Sequence, residues 1–194
     1  MSAPEYILGI ESSCDECSVA VLRASPGELH PLSVATFSQT DLHKPYGGVV
    51  PEIASRNHLE TILPLLEQAL KEAAIEASQL HAIAVTNRPG LVGALLVGVS
   101  TAKALAYALG KPLVAVHHLE GHLASLFLER PQGTGGIGWP MVAAIVSGGH
   151  TNLYFVRNGP ELWPLDLLSR TLIGRSRDDA AGEAFDKTAK LLGF

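Results

Sequence analysis

A chain of 194 residues that is 47% hydrophobic and 17% charged reads as soluble and globular, with enough length for one large domain or two small lobes. Its formal charge of −5 excludes a basic field of its own, so a polyanion such as RNA would need a local patch or a partner's help. The opening MSAPEYILGIESS has no basic region followed by a long apolar stretch, and the longest apolar runs are short or interrupted by Gly; neither a secretory signal nor a membrane span is expected, and a cytoplasmic location follows.

In chain order, EYILGIE and SVAVLRA are apolar, β-branched runs separated by the polar turn SSCDEC, and LSVATFS is a third candidate strand. Together they predict a β-meander. Within the turn, Cys14 and Cys17 form a C-x-x-C, but the intervening Asp15 and Glu16 would raise thiol pKa values, and no second cysteine pair exists to complete a zinc site. Residues 39–50 carry turn residues with His43 and Lys44 and are expected to be a loop. A long amphipathic helix should start near Pro51, with Pro64 as a break or kink. HAIAVT then reads as a strand, NRPG as a turn, GALLVGVSTAKALAYAL as a largely buried helix, PLVAVH as a strand and HLEGHLASLFLE as a helix. Alternating strand and helix implies a partly parallel sheet whose ligand-binding loops gather at the strand carboxyl ends.

The stretch RPQGTGGIGWP marks a boundary, giving a first lobe over 1–130 and the start of a second over 131–194. MVAAIVSGGHTNLYFVR repeats the opening device of apolar strand, small polar turn and apolar strand, as a duplicated lobe would. Arg157, Arg170, Arg175 and Arg177 are the nearest approach to a basic patch, and such a spread is ordinarily a solvated surface. DDAAGEAFDKTAKLLGF closes as a helix, with Asp178 or Asp179 expected at its N-cap.

Three motifs could carry chemistry. In SGGH the glycines let backbone N–H groups approach an anion, and Ser147 and Thr151 add hydroxyls; across a cleft from ESSCDE, the turn would form half of a phosphate-binding pair. In ESSCDE, Asp15 and Glu16 are either a solvated turn or an acid/base pair. In HHLEGH, His118 and His122 stand at i and i+4, about 40° apart around a helix, so both can reach one ion. A metallopeptidase needs its glutamate directly after the first histidine, where Leu119 stands; Glu120 lies about 200° around from His118 and faces away.

ILGIESSCDE, KPYGGVVPEIASRNHLE, PGLVGALLVG, HHLEGHLAS, VSGGHTNLYFV and DDAAGEAFDKTAKLLG, in this order, resemble the tRNA adenosine threonylcarbamoyltransferase family, whose members once carried a glycoprotein endopeptidase label. The branch is the bacterial one: archaeal-type relatives typically carry a ligating Tyr just before V-S-G-G and an Asn after it, where this chain has Ile145 and His150. The resemblance implies an α/β fold of the actin/Hsp70-like type, built from ribonuclease-H-like lobes, the first complete and the second partial. It implies transfer of a threonylcarbamoyl group from threonylcarbamoyl-adenylate to the exocyclic nitrogen of the adenosine next to the anticodon in tRNA. It further implies a divalent iron or zinc ion on His118 and His122, donor contacts from Ile145, Val146, Ser147, Gly148 and Gly149, a nucleotide contact from Asp186, and catalytic roles for Asp15 and Glu16. The implied partners are tRNA, a degenerate paralogue of the same fold and a small P-loop ATPase, with no membrane.

Cys17 stands where the family commonly has Thr, and Arg88 stands where it usually has Gly, which would tilt that loop or exclude a left-handed conformation. Family members run to much greater length than 194 residues, so the chain is expected to be an N-terminal part. The third metal ligand, an aspartate, would lie beyond it. A half-built second sheet would expose an apolar edge and face and promote association.

Overall fold

The structure is a computed structural model that describes residues 4–25, 28–128, 140–157 and 170–193. Apart from Pro140, the boundary stretch 130–140 lies outside the described residues. The chain divides into two compact units: Met1–Gly121 with Phe127–Gln132, and His122–Leu126 with Gly133–Phe194.

The first unit opens with the expected meander, β1 (Glu5–Glu11), β2 (Glu16–Ser25) and β3 (Glu28–Ser38), all antiparallel. Period-2 alternation turns Leu8 and Ile10 of β1 and Cys17, Val19 and Val21 of β2 to one face. The register sets Leu8 opposite Val21 and Ile10 opposite Val19, so these side chains form one apolar surface. Pro31 is tolerated because β3 is an edge strand and the ladder shifts register beside it. Two crossovers add β4 (Ala82–Arg88) and β5 (Leu113–His117) parallel to β1, in the order β3-β2-β1-β4-β5. This is the arrangement of a ribonuclease-H-like lobe.

Two helices, α2 (Pro51–Glu72) and α3 (Val92–Leu109), cover the apolar face. Between β3 and α2, the expected loop contains a short helix, α1 (Thr40–His43), and a 3-10 turn at Lys44–Tyr46. Helix α2 runs through Pro64 without interruption. It brings Ile62, Leu65 and Ala69 to Leu8, Val19, Val21 and Ile83, and each large side chain so buried contributes about 1.5–3 kcal/mol. Helix α3 has the expected span to within one residue and is long and apolar enough to cross a bilayer by length and composition, but it is less buried than expected, with Val92, Leu96 and Tyr107 exposed. Its Val97, Ala102 and Ala106 are packed in the core.

Arg88 ends β4 opposite His117. Among the described residues the one non-glycine with a positive φ is Ala74, at 55°, so Arg88 is accommodated without a left-handed backbone. Ala74 closes α2, its N–H donating to the Lys71 carbonyl at 3.1 Å and the Ile75 N–H to the Leu70 carbonyl at 3.2 Å. Glycine favours this conformation because it lacks the Cβ that crowds the carbonyl. Ala74→Gly is therefore expected to stabilise the first unit by about 1 kcal/mol, seen as a higher urea midpoint at unchanged slope; a lower midpoint would contradict it.

The second unit repeats the opening device. A hairpin of β6 (Met141–Val146) and β7 (Thr151–Val156) is joined by a third antiparallel strand, β8 (Arg170–Arg175). Strand β8 was not expected: RTLIGR alternates poorly, and its charged ends read as surface. The Arg170 guanidinium lies 5.9 Å from the centre of the Tyr154 ring. The unit ends in α5 (Ala181–Leu192). Val142, Val146, Ile173, Phe185, Leu191 and Leu192 stay exposed, more apolar surface than a small unit usually presents.

Candidate functional site

In the first unit the site residues gather where β1, β4 and β5 end, the edge at which open α/β sheets bind ligands. Helix α4 (His118–Ala124) begins immediately after β5 and carries His118 and His122 one turn apart. The His118 Nδ1 lies 3.1 Å from Glu11 Oε2 and 3.3 Å from Ser13 Oγ. An ionised carboxylate only accepts, so Nδ1 carries a proton and donates to Glu11, which makes Nε2 the ring nitrogen that could address a metal. Ser13 and Glu11 both address Nδ1, so the trio is not a Ser-His-acid triad, which needs the serine on the opposite nitrogen.

Burial alone would push the Glu11 carboxyl up. Hydrogen bonds from His118, from the Ser13 hydroxyl and backbone N–H and from Thr86 outweigh it and hold Glu11 down at about 2. A carboxylate accepting from the far nitrogen of a histidine is also what a metal-ligating histidine usually has behind it, so the donor chemistry of His118 fits an ion in that respect. Among the described residues no three His, Cys, Asp or Glu side chains cluster to hold a metal. His118 and His122 are thus at most part of a ligand set.

The acidic turn is fixed from several sides. Ser12 Oγ donates to the Ala94 carbonyl at 2.9 Å, Leu91 N–H donates to the Ser13 carbonyl at 2.8 Å, and Gln39 N–H donates to the Asp15 carbonyl at 3.1 Å. Helix α3 can approach because Gly98 faces Ser12, where a Cβ would collide with the Ser12 hydroxyl. Asp15 is half-buried and Glu16 exposed. Cys14 and Cys17 are both free thiols. Burial pushes each up to about 11; the neighbouring Asp15 adds to the effect at Cys14, and Glu11 acts on both. Thiols held so far above neutrality make poor nucleophiles, in keeping with the sequence argument against redox chemistry.

In the second unit the SGGH turn joins β6 to β7. Ser147 N–H donates to the His150 carbonyl at 2.8 Å, and His150 N–H donates to Ser147 Oγ at 3.0 Å, so the serine hydroxyl is engaged in holding the turn. Gly148 and Gly149 are exposed, with nothing within 4 Å of a built Cβ. The Ile145 side chain is buried beside Ala143 and Tyr154, supporting the turn from beneath, whereas Val146 is exposed.

The N-terminus of α5 docks on this turn. Ala181 N–H donates to Thr151 Oγ1 at 2.8 Å, and Gly182 N–H donates to the Ser147 carbonyl at 3.1 Å. The N-cap position is Ala180, so neither Asp178 nor Asp179 caps the helix. Thr151, 30 residues away in sequence, supplies the capping oxygen instead. Asp179 pairs with Lys187 at 2.7 Å. Asp186 is exposed and lies four residues from Gly182, one turn along the face that meets the turn.

Of the residues singled out in the sequence, Asp15, Glu16 and His118 belong to the first unit, and Ile145, Val146, Ser147, Gly148, Gly149 and Asp186 to the second, with His122 at the division inside α4. Glu11, Ser13, Thr86 and Gly182 do not stand out in the sequence. A carboxylate ending a strand of a parallel sheet was the available signal for Glu11.

The family model for TsaD, tRNA N6-adenosine threonylcarbamoyltransferase, matches residues 31–194. A protein of that name from Koribacter versatilis is 53% identical over 99% of this chain and 49% of its own length; that from Syntrophus aciditrophicus is 55% identical over 96% and 51%. The chain thus spans about half the length of the curated relatives it matches. Among solved structures, YeaZ from Pseudomonas aeruginosa is similar in fold, with a TM-score of 0.51 at 23% identity over 89% of this chain and 66% of that one. The mixed α/β architecture is of the actin/Hsp70-like, ribonuclease-H-like type, and the chain belongs to the tRNA N6-adenosine threonylcarbamoyltransferase family.

Proposed function

We propose that this chain contributes the N-terminal half of an enzyme that transfers threonylcarbamoyl from threonylcarbamoyl-adenylate to the exocyclic nitrogen of the adenosine adjacent to the anticodon in tRNA. The observation that carries this reading is the Glu11–His118 contact at the carboxyl end of the parallel strands, within a chain that matches the family over most of its length. In the reaction the adenosine nitrogen attacks the acyl carbon of the mixed anhydride, the bond to the phosphate oxygen breaks, and AMP leaves. The attacking amine must shed a proton, and Asp15 and Glu16 are carboxylates suited to accept it. The leaving phosphate gains charge, which the backbone N–H groups of Gly148 and Gly149 would stabilise. Asp186 would hold the nucleotide, and Val146 would line its approach. His118 and His122 would hold a divalent iron or zinc ion, which supplies Lewis-acid polarisation and orientation of the donor when bound.

Partners by this reading are tRNA, a paralogue of the same fold and a small P-loop ATPase, in the cytoplasm. A second reading, a non-catalytic interaction module, draws on exposed Leu59 and Leu63 of α2 and Val92 and Leu96 of α3. Transfer of labelled threonylcarbamoyl to unmodified tRNA separates the two. With donor, metal, partner proteins and the complementary half of a relative supplied, this chain should support transfer, and His118→Ala should abolish it. Undiminished transfer by His118→Ala would remove the proposed site; absence of transfer in the complemented mixture would favour the module.

A further inference from the structure

Three buried polar side chains stand behind the acidic turn, none of them assigned a role above. Gln39 and His58 have no solvent exposure and His43 is 4% exposed, so each polar atom must find a protein partner or forfeit a hydrogen bond. The contacts run in one line. The Val50 N–H donates to His43 Nδ1 at 3.2 Å; His43 Nε2 meets Gln39 Oε1 at 3.3 Å; Gln39 Nε2 lies 3.3 Å from the Ala54 carbonyl and 3.2 Å from His58 Nδ1; His58 Nε2 meets the Cys14 carbonyl at 2.8 Å.

The chemistry of the two ends sets the direction. A backbone N–H can only donate, so His43 Nδ1 accepts and His43 Nε2 carries the proton. That proton requires the amide oxygen of Gln39, which turns its NH2 toward the Ala54 carbonyl and His58 Nδ1. His58 must then accept on Nδ1 and donate from Nε2 to the Cys14 carbonyl. One arrangement of protons satisfies every contact, and it ends on the turn that carries Asp15 and Glu16. The Gln39 backbone N–H holds the next carbonyl, that of Asp15, at 3.1 Å. Two successive carbonyls of the turn are therefore anchored by one buried assembly built from residues 39–58.

We propose that Gln39, His43 and His58 are positioning residues, a one-way hydrogen-bond relay that fixes the Cys14 and Asp15 backbone and so sets where the Asp15 and Glu16 carboxylates stand. The inference rests on the reading of those carboxylates as catalytic. Asparagine or glutamine can replace a neutral histidine in such a chain, since an amide both accepts and donates; leucine fills the space and does neither.

Long-range 1H–15N NMR of the unaltered chain should show the ring proton on Nε2 of both His43 and His58; an Nδ1-protonated ring at either position overturns the relay. In the complemented transfer assay, His58→Leu should lower kcat by about 10- to 100-fold with KM for the donor changed less than about threefold. His58→Gln should recover most of that loss. Parent kcat in His58→Leu, or no recovery in a folded His58→Gln, overturns the positioning role; if His58→Leu does not fold, the NMR result and His58→Gln decide. Asp15→Asn and Glu16→Gln in the same assay keep the two readings apart. Transfer lost in these but intact in His58→Leu sinks the relay alone, whereas transfer intact in both carboxylate variants sinks the catalytic reading on which it depends.

Discussion

With His118 in the metal-binding role proposed, Glu11→Gln is expected to lower the affinity of the chain for a divalent ion by about 10- to 100-fold, the usual effect of losing an outer carboxylate behind a ligating histidine. The glutamine keeps the volume of Glu11 but removes the charge that accepts the His118 Nδ1 proton at 3.1 Å. The ring then loses its fixed tautomer. Titration of Zn2+ against a competing chelator measures this directly, without reference to turnover. Equal affinity in a folded Glu11→Gln chain would show that the carboxylate does not serve the ion.

The same substitution has a signature in the absence of metal. The Glu11 carboxyl lies at about 2 in the folded chain against 4.5 for an ordinary glutamate, because the hydrogen bonds that favour its ionised form outweigh its burial. The unfolded chain therefore binds the proton more readily. Stability from Glu11 is fully present above 4.5 and is lost as pH falls through the folded value of about 2. The stability gap between the parent and Glu11→Gln, read from metal-free urea unfolding, should narrow across that window. A gap that is constant, or widens on acidification, would contradict the assignment.

Gly182→Ala should detach α5 from the SGGH turn. An added Cβ would stand 2.7 Å from the Gly148 nitrogen and 2.8 Å from the Ser147 carbonyl carbon and oxygen. These are backbone atoms with no rotamer to change, so the helix itself must shift. The shift would break the bonds from Ala181 to Thr151 and from Gly182 to Ser147. The expected cost is about 1–3 kcal/mol, as for other overpacked positions, localised in the second unit. Amide hydrogen exchange should report it as lost protection at Ala181 and Gly182. Gly149→Ala is the control, since its Cβ would meet nothing within 4 Å. Unchanged protection in Gly182→Ala would mean that the contact with the turn is not what holds the helix.

Much of the architecture was legible in the sequence. Alternation in EYILGIE and SVAVLRA encodes the β1–β2 hairpin, and the apolar periodicity after Pro51 encodes α2 despite Pro64. The repetition of strand, small turn and strand at VAAIVSGGHTNLYFV encodes the second hairpin. The i and i+4 spacing of His118 and His122 places both on one helix. Local rules suffice for these features because the information lies within a few turns or one hairpin.

What failed shares a physical cause. The cap of α5 comes from Thr151 and not from the nearby aspartates, since a docked hairpin hydroxyl reached the helix end while Asp179 was drawn to Lys187. Residues 39–50 read as loop because their polar atoms lack periodicity, yet Gln39 and His43 are buried there through partners 4 to 19 residues away. Glu11 was indistinguishable from any acidic residue ending a strand until β5 delivered His118 to it across 107 residues. By itself the sequence determined most of the elements, though not β8 or α1, together with the repeated hairpin and the family, since each depends on local patterning or on ordered motifs. Only the tertiary structure decided which buried donor meets which acceptor, because hydrogen-bond partners are chosen by distance in space among groups that burial has cut off from water.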